Sequence, residues 1–225
     1  MKVHYPFVLL ILLFLFKLGA TQISVESEPH HQPVYESPAF RVLNVTLAPG
    51  DTSLDHIHRH NIAYVTVRGT RVGLKEAGKP LRIVRLPDGW IGDDTEYHLH
   101  PKVHRIANVG TDSLQLVAVE ALTPPAGTGD MPARDSTFVL SDSVFRIQRL
   151  TLLPGKTYHP ASRREGVVVV PGRQNSLSSS SGISMVRLNY ATLFIASMTS
   201  KLLLKNNSKK NVNIIVVMLK GLLNN

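Results

Sequence analysis

Three histidines alternate in one short stretch of the chain, "DHIHRHN", where His56, His58 and His60 occupy every second position. On a β-strand, alternate side chains share one face, with about 6.6 Å between Cα atoms two residues apart. Imidazoles in this arrangement could converge on a metal ion, or they could form a solvated polar edge. The spacing alone does not choose between these readings, so the elements around the stretch must.

The chain has 225 residues and no cysteine. This excludes disulfides, thiolate ligands and a cysteine nucleophile, so any metal site must use nitrogen and oxygen donors. With 43% hydrophobic residues, the chain can build a real core, as one large domain or two small ones.

The net charge of +9 is unevenly distributed. Residues 145–225 carry six Arg and six Lys against one acid, a balance of +11, and the rest of the chain sums to −2. A basic half can indicate an anionic partner. No dense basic cluster interleaved with aromatics is present, so we predict an alkaline surface and no nucleic-acid partner.

The N-terminus resembles a secretory signal. Lys2 precedes an unbroken apolar run of ten residues, Phe7 to Phe16, which is followed by the small residues Gly19 and Ala20. Such a run is too short to span a bilayer comfortably. We predict cleavage near Ala20 and a secreted or periplasmic protein. The alternative is an uncleaved anchor, which would be the chain's one membrane contact.

Short β-branched runs separated by Pro-Gly and Asp-Gly turns predict an all-β protein. The chain also repeats itself. Residues 34–52 align with residues 139–157 at an offset of 105, and residues 108–120 align with residues 206–218 at an offset of 98. Evenly spaced strands with such a repeat are typical of tandem sandwiches or barrels.

The first copy resembles the cupins. Their first motif, G-x5-H-x-H-x3-E-x6-G, matches Gly50, His56, His58 and Gly69, but its glutamate position holds Ile62. The histidine and asparagine of their second motif, H-x3-N, match His104 and Asn108. Pro101 stands where that motif usually has glycine.

The resemblance implies two double-stranded β-helix (jelly-roll-like) barrels in tandem, a bicupin. We predict five segments: a signal peptide (1–20), a tail (21–33), a metal-binding barrel (34–122), a linker (123–137) and a second barrel (138–225). The implied ligands of a mononuclear divalent transition metal are His56, His58 and His104. Fe, Mn, Ni and Zn all accept imidazole nitrogen. The competing interpretation is a polar barrel mouth that never binds metal.

Three further histidines are candidates for a fourth ligand, for an acid or base, or for a group that hydrogen-bonds to whatever the metal holds. They are His60, His98 and His100. We predict no role for His30 and His31, which lie in the proline-rich tail.

The second copy lacks most of the ligand set. It keeps His159 and Glu165, but Leu202 stands opposite His104, so we predict a degenerate barrel. The predicted function is metal-dependent chemistry on a small molecule, such as that of an oxygenase or isomerase. The alternative is a non-catalytic secreted binder of a sugar or anionic metabolite. The resemblance leaves the substrate, the metal and a homodimer open.

Overall fold

The computed structural model describes residues 22–123, 138–159, 166–172, 176–197 and 201–220. Within these ranges, no helix has the length and apolar character needed to cross a bilayer. The predicted signal peptide, nearly all of the predicted linker and Glu165 lie outside the described residues.

The first unit consists of two five-stranded sheets and one short 3-10 helix at Val25–Ser27. Its strands are β1 (Ile23–Ser24), β2 (His31–Glu36), β3 (Phe40–Leu47), β4 (His56–His58), β5 (Asn61–Arg68), β6 (Thr70–Glu76), β7 (Arg82–Leu86), β8 (Ile91–Asp94), β9 (Lys102–Asn108) and β10 (Leu114–Ala121). One sheet has the order β1-β4-β9-β6-β7, and the other has the order β2-β3-β10-β5-β8.

The second unit repeats this plan with a six-stranded and a three-stranded sheet. Its strands are β11 (Phe138–Ser141), β12 (Phe145–Leu152), β13 (Thr157–Tyr158), β14 (Gly166–Pro171), β15 (Leu177–Ser179), β16 (Ser184–Arg187), β17 (Ala191–Ala196), β18 (Leu204–Asn206) and β19 (Val212–Leu219). The orders are β11-β12-β19-β14-β17-β16 and β13-β18-β15. The prediction of an all-β fold is confirmed.

The internal repeat is visible in hydrogen bonds as well as in strand order. The buried amide of Asn108 donates to the carbonyls of Leu47 and Asp112, at 3.0 and 2.8 Å. The buried amide of Asn206 donates to the equivalent carbonyls of Leu152 and Lys210, both at 2.8 Å. Each asparagine thereby ties the strand that precedes the Pro-Gly turn to the strand that ends at the asparagine.

The two Pro-Gly turns also correspond. Gly50 and Gly155 have φ angles of 88° and 72°, a region that glycine enters without the steric penalty of a Cβ atom. Their backbone N–H groups donate to the carbonyls of Asn108 and Asn206, at 3.0 and 2.8 Å. The same backbone geometry therefore recurs where the sequence predicts it.

Among the described residues, three apolar clusters form the core. One fills the first unit between its sheets and another fills the second unit. The third joins the two units through the outer faces of the sheet that contains β10 and the six-stranded sheet that contains β19. All eight residues of β10 are buried, because one face of this strand lines the first interior and the other face packs against the second unit. The outer faces of these two sheets therefore meet each other instead of solvent.

The N-terminal segment belongs to the sheets. β1 pairs in parallel with β4, and β2 pairs with β3. Residues 23–24 and 31–33 of the predicted tail (21–33) therefore lie in strands, with β1 paired to the strand that carries His56 and His58 and β2 paired to β3. The apolar side chain of Val25 is buried in the core of the first unit.

Candidate metal centre

Three predicted ligands meet on the inner face of the first unit's β1-β4-β9-β6-β7 sheet. β4 and β9 are antiparallel, with His56 directly opposite His104, and His58 follows two residues after His56 on the same face. The ring centroids lie 4.7 Å apart for His56 and His104, 4.9 Å for His58 and His104, and 5.1 Å for His56 and His58. Forty-five residues separate His58 from His104 along the chain, and the pairing of β4 with β9 brings the two side chains together in space.

One donor atom from each ring can be chosen so that all three lie within 4.8 Å of one another. The Nε2 atoms of His58 and His104 are 3.0 Å apart. Zn–N bonds are about 2.0–2.1 Å long, so two ligands of a tetrahedral ion are separated by about 3.3 Å. The observed spacing suits donors that share one cation.

The tautomer of His56 is fixed by the backbone. Its Nδ1 lies 2.9 Å from the carbonyl oxygen of Leu54, which can only accept, so Nδ1 carries the proton. Its Nε2 then carries a lone pair instead of a proton. This buried atom has no hydrogen-bond partner among the described residues. An orphaned acceptor of this kind is what a metal ion would satisfy.

Burial keeps the three imidazoles neutral. Desolvation, with a smaller contribution from neighbouring imidazoles, lowers the pKa of His56 to about 4 and that of His104 to about 3. It also lowers the pKa of His58 well below its ordinary value. Metal ligation needs the unprotonated ring, so the residues present fit a divalent metal.

The glutamate position of the cupin motif remains apolar in three dimensions. Ile62 is fully buried in the core of the first unit and cannot bind a metal. Its cross-strand neighbour on β10 is Glu120. Oε1 of Glu120 lies 4.0 Å from Nδ1 of His58, and Oε2 accepts from Arg41 Nη1 at 3.1 Å. Sequence reasoning missed this carboxylate.

Burial raises the pKa of Glu120 to about 7, although the guanidinium of Arg41 opposes the shift. Oε1 of Glu120 and Nδ1 of His58 both lack a hydrogen-bond partner among the described residues. The buried carboxyl group is therefore held by Arg41 on one side and faces a ligand candidate on the other.

His31, for which no role is predicted from the sequence, lies buried beside the donor cluster. Its ring lies 4.4 Å from that of His56 and 6.4 Å from that of His58, and the residue is buried. Its Nδ1 is 2.5 Å from Oε2 of Glu28. Burial alone would raise the pKa of Glu28, but this contact and backbone N–H groups lower it. The sequence did not indicate this contact between His31 and Glu28, because the segment has the composition of an extended tail.

An aromatic ring and a charged cluster border the histidines. The ring of Tyr97 lies 5.4 Å from that of His58, and Nζ of Lys102 lies 5.5 Å from the Tyr97 ring centroid. Lys102 also contacts Glu76 at 3.2 Å, and Glu76 is directly opposite His104 across the sheet. Hydrogen bonds from Lys79 and Lys102 outweigh burial and lower the pKa of Glu76 to about 2.

The other predicted histidines do not join the donor cluster. His60 lies in the bend after β4, beyond the end of the strand that carries His56 and His58. His98 is exposed, with Nδ1 2.8 Å from Oδ1 of Asn61, and His100 is exposed in the same turn. The strand ends at His58, so the alternation of three histidines does not continue to His60.

The second unit has no comparable cluster among its described residues. Leu202 stands where the first unit has His104, and it is buried in an apolar interior. His159 is exposed. Met218, also buried in that interior, stands where the first unit has Glu120.

No protein-family model matches the sequence, and no curated protein matches it. The fold is similar to that of bacterial pirin YhhW from Escherichia coli, solved in complex with nickel(II). The two share 15% identity and a TM-score of 0.53, over 82% of this chain and 83% of that chain.

Salicylate 1,2-dioxygenase from Pseudaminobacter salicylatoxidans is similar at 12% identity and a TM-score of 0.50, over 82% of this chain and 72% of that chain. A cupin 2 conserved barrel domain protein from Leptotrichia buccalis covers 89% of this chain and 100% of its own, at 10% identity and a TM-score of 0.49. Identities this low establish the fold alone. The chain has the cupin fold, with two cupin units in tandem.

Proposed function

We propose that the first unit binds one divalent transition metal through His56, His58 and His104 and uses it to bind or transform a small molecule. The observation that carries the proposal is the convergence of three neutral imidazoles, one of which has an orphaned buried Nε2. Pirin YhhW solved with nickel(II) and salicylate 1,2-dioxygenase, both similar in fold, support this class of function.

A bound metal would supply Lewis acidity and a coordination position for a ligand oxygen. The chain's own residues keep the donors unprotonated and hold the rings in place. Three neutral ligands leave the charge of the ion uncompensated, which favours anionic or oxygen-chelating ligands. Lys102 adds a positive charge beside the site, although Glu76 neutralises part of it.

A non-catalytic binding protein is the second candidate. His60, His98 and His100 were the predicted acid or base groups, and none of them joins the donor cluster. This observation favours binding of an anionic metabolite or sugar without turnover. Metal content together with turnover of the bound molecule separates the two candidates.

The proposal includes export. The support is the sequence pattern of Lys2 followed by the apolar run Phe7 to Phe16, which lies outside the described residues. N-terminal sequencing of the protein recovered from each cell fraction tests this. A mature N-terminus near residue 21 in the exported fraction is expected, and an intact N-terminus in the cytosol would contradict it.

Elemental analysis tests the metal site. Untagged protein, purified without chelators and in part under anaerobic conditions, should contain close to one transition metal per chain. A His56→Ala/His58→Ala double variant is the matched control and should contain almost none. The proposal is overturned if wild-type protein is empty and also fails to take up Zn, Ni, Mn or Fe in titration.

A further inference from the structure

The buried carboxylate of Glu120 has no counterpart in the cupin motifs quoted above. We propose that Glu120 is a positioning residue that accepts a hydrogen bond from Nδ1–H of His58 and so directs Nε2 of His58 to the metal. This inference rests on the proposed metal site.

The register of the β2-β3-β10-β5-β8 sheet explains how Glu120 reaches the site. Glu120 is directly opposite Arg41 on one side and Ile62 on the other, so the three side chains share the inner face of that sheet. The carboxylate that the motif places at position 62 is thus present one strand away.

Its position favours orientation over ligation. A histidine ring presents its two nitrogens on different edges, and in His58 Nε2 faces His104 at 3.0 Å while Nδ1 faces Glu120 at 4.0 Å. The carboxylate therefore lies on the edge of the ring away from the other donors. A modest approach of the two side chains would close the gap to a hydrogen bond. A carboxylate at that edge selects the tautomer with the proton on Nδ1 and the lone pair on Nε2.

Arg41 binds the carboxylate oxygen of Glu120 that does not face His58. Its Nη1 donates to Oε2 of Glu120 at 3.1 Å, and its Nε donates to Glu36 at 2.7 Å. Nη1 also lies 3.4 Å from Glu26. One oxygen of Glu120 is thus fixed by a cation, and the other is left for His58.

The second unit provides an independent comparison within the same chain. Where it has Leu202 in place of His104, it also has Met218 in place of Glu120. The arginine of the first unit persists there as Arg146. The histidine and the carboxylate are thus absent together, as expected if the carboxylate serves the histidines.

The test compares Glu120→Gln, Glu120→Asp and the control Glu36→Gln, which removes a partner of Arg41 without touching His58. A glutamine that accepts from Arg41 turns its NH2 group toward Nδ1–H, so two donors face each other. Zn affinity is measured by chelator competition, and the coordination number is measured in the Co-substituted protein from the intensity of its d–d absorption bands. Glu120→Gln should bind metal about 10–100-fold more weakly with the same coordination number. Glu120→Asp should recover part of the loss, and Glu36→Gln should resemble wild type.

Nitrogen NMR of the Zn-loaded wild type, with labelled histidine, reads the tautomer directly and does not depend on how the variants fold. His58 should bind through Nε2 with a proton on Nδ1, and ligation through Nδ1 would overturn the inference. An unchanged affinity in Glu120→Gln, or a change in coordination number showing that Glu120 is itself a ligand, would overturn it as well. A wild type that binds no metal would instead remove the proposed function and this inference together.

Discussion

Asn108 in the first unit and Asn206 in the second make the same hydrogen bonds, yet the interiors beside them differ in polarity. In the first unit, His104 and Glu120 line the interior. In the second, Leu202 and Met218 occupy the equivalent positions. The backbone plan therefore does not depend on the metal-ligating side chains, because the same plan surrounds a candidate metal site in one unit and an apolar interior in the other.

The largest effect is expected where the units are alike. Asn108→Ala and Asn206→Ala each remove three hydrogen bonds to backbone groups, two donated by the buried amide and one accepted by it, and Asn206→Ala also removes one from the part-buried Ser208 hydroxyl. At about 1 kcal/mol per bond, each change should lower the free energy of unfolding by about 3 kcal/mol. Thermal and urea unfolding of the metal-free variants would measure this. Clearly unequal losses would break the comparison between the units.

The second-largest effect concerns metal affinity, the property in which the two units are expected to differ. His104→Leu gives the first unit the residue that the second unit has at that position. Because loss of a group beside a ligand costs about 10–100-fold in metal affinity, loss of a ligand should cost more than about 100-fold. His60→Ala and Glu165→Gln should retain metal. Chelator competition provides the measurement, and strong binding by His104→Leu would mean that His104 is not a ligand.

The reverse substitution sharpens that result. Leu202→His restores a histidine to the second unit, but His159 is exposed and Met218 replaces the carboxylate. We expect no second metal ion in this variant, and about 1–3 kcal/mol lower stability from burying a polar group without a partner. Metal stoichiometry and unfolding curves test both statements. A stoichiometry of two would show that a histidine alone suffices.

A smaller effect concerns the N-terminal strand. His31→Ala removes the partner of a buried carboxylate, Glu28, and the ring that packs against His56. A loss of about 1–2 kcal/mol in stability is expected, with metal affinity reduced less than in His104→Leu. His100→Ala, at an exposed position, is the control. If His31→Ala loses metal as severely as His104→Leu, His31 is a fourth ligand.

The smallest effect lies near the contact between β8 and the turn after β11. Burial, and then the nearby carboxyl group of Asp142, raise the pKa of Asp93 to about 7. The folded protein thus holds a proton that the unfolded chain releases near its ordinary pKa of 3.8. Stability from this group is complete below that value and is lost as the pH rises through about 7.

Asp93→Asn should therefore reduce the fall in stability between about pH 6.5 and 8.5, and the part due to Glu120, whose pKa burial also raises to about 7, should remain. The buried histidines contribute little in that window, because their lowered pKa values matter below about 6.5, where the unfolded chain takes up protons. Unfolding curves at several pH values would measure the slope, with Glu96→Gln as an exposed control. An unchanged slope in Asp93→Asn would contradict the assignment.

The sequence predicted the all-β class, the repeat and the histidines that meet on β4 and β9. These succeed because the signals are local: β-branched runs, Pro-Gly turns, and a motif that places His56 and His58 on one face. The assignment of His104 needed the resemblance to cupins, because no local pattern connects it to His58, which lies 46 positions earlier in the chain.

Glu120 and His31 were missed for different physical reasons. In a half-buried strand, alternation shows which side chains face inward, but β10 is buried on both faces and has no alternation. The direction of Glu120 therefore could not be read from "LQLVAVEA". The strand that carries His31 is short, contains Pro33 and lies at the edge of its sheet, where a strand and an extended tail have similar sequences.

The burial of β10 on both faces has a consequence for folding. Apolar side chains from both units share one cluster, and Oε1 of Gln115 on β10 accepts from the backbone N–H of Tyr190 at 2.9 Å. Unfolding of either unit would expose to solvent the apolar sheet face of the other unit. Each unit alone should therefore be less stable than it is in the intact chain. The whole chain should therefore unfold cooperatively, in a single melting transition. An isolated half would associate through its uncovered sheet.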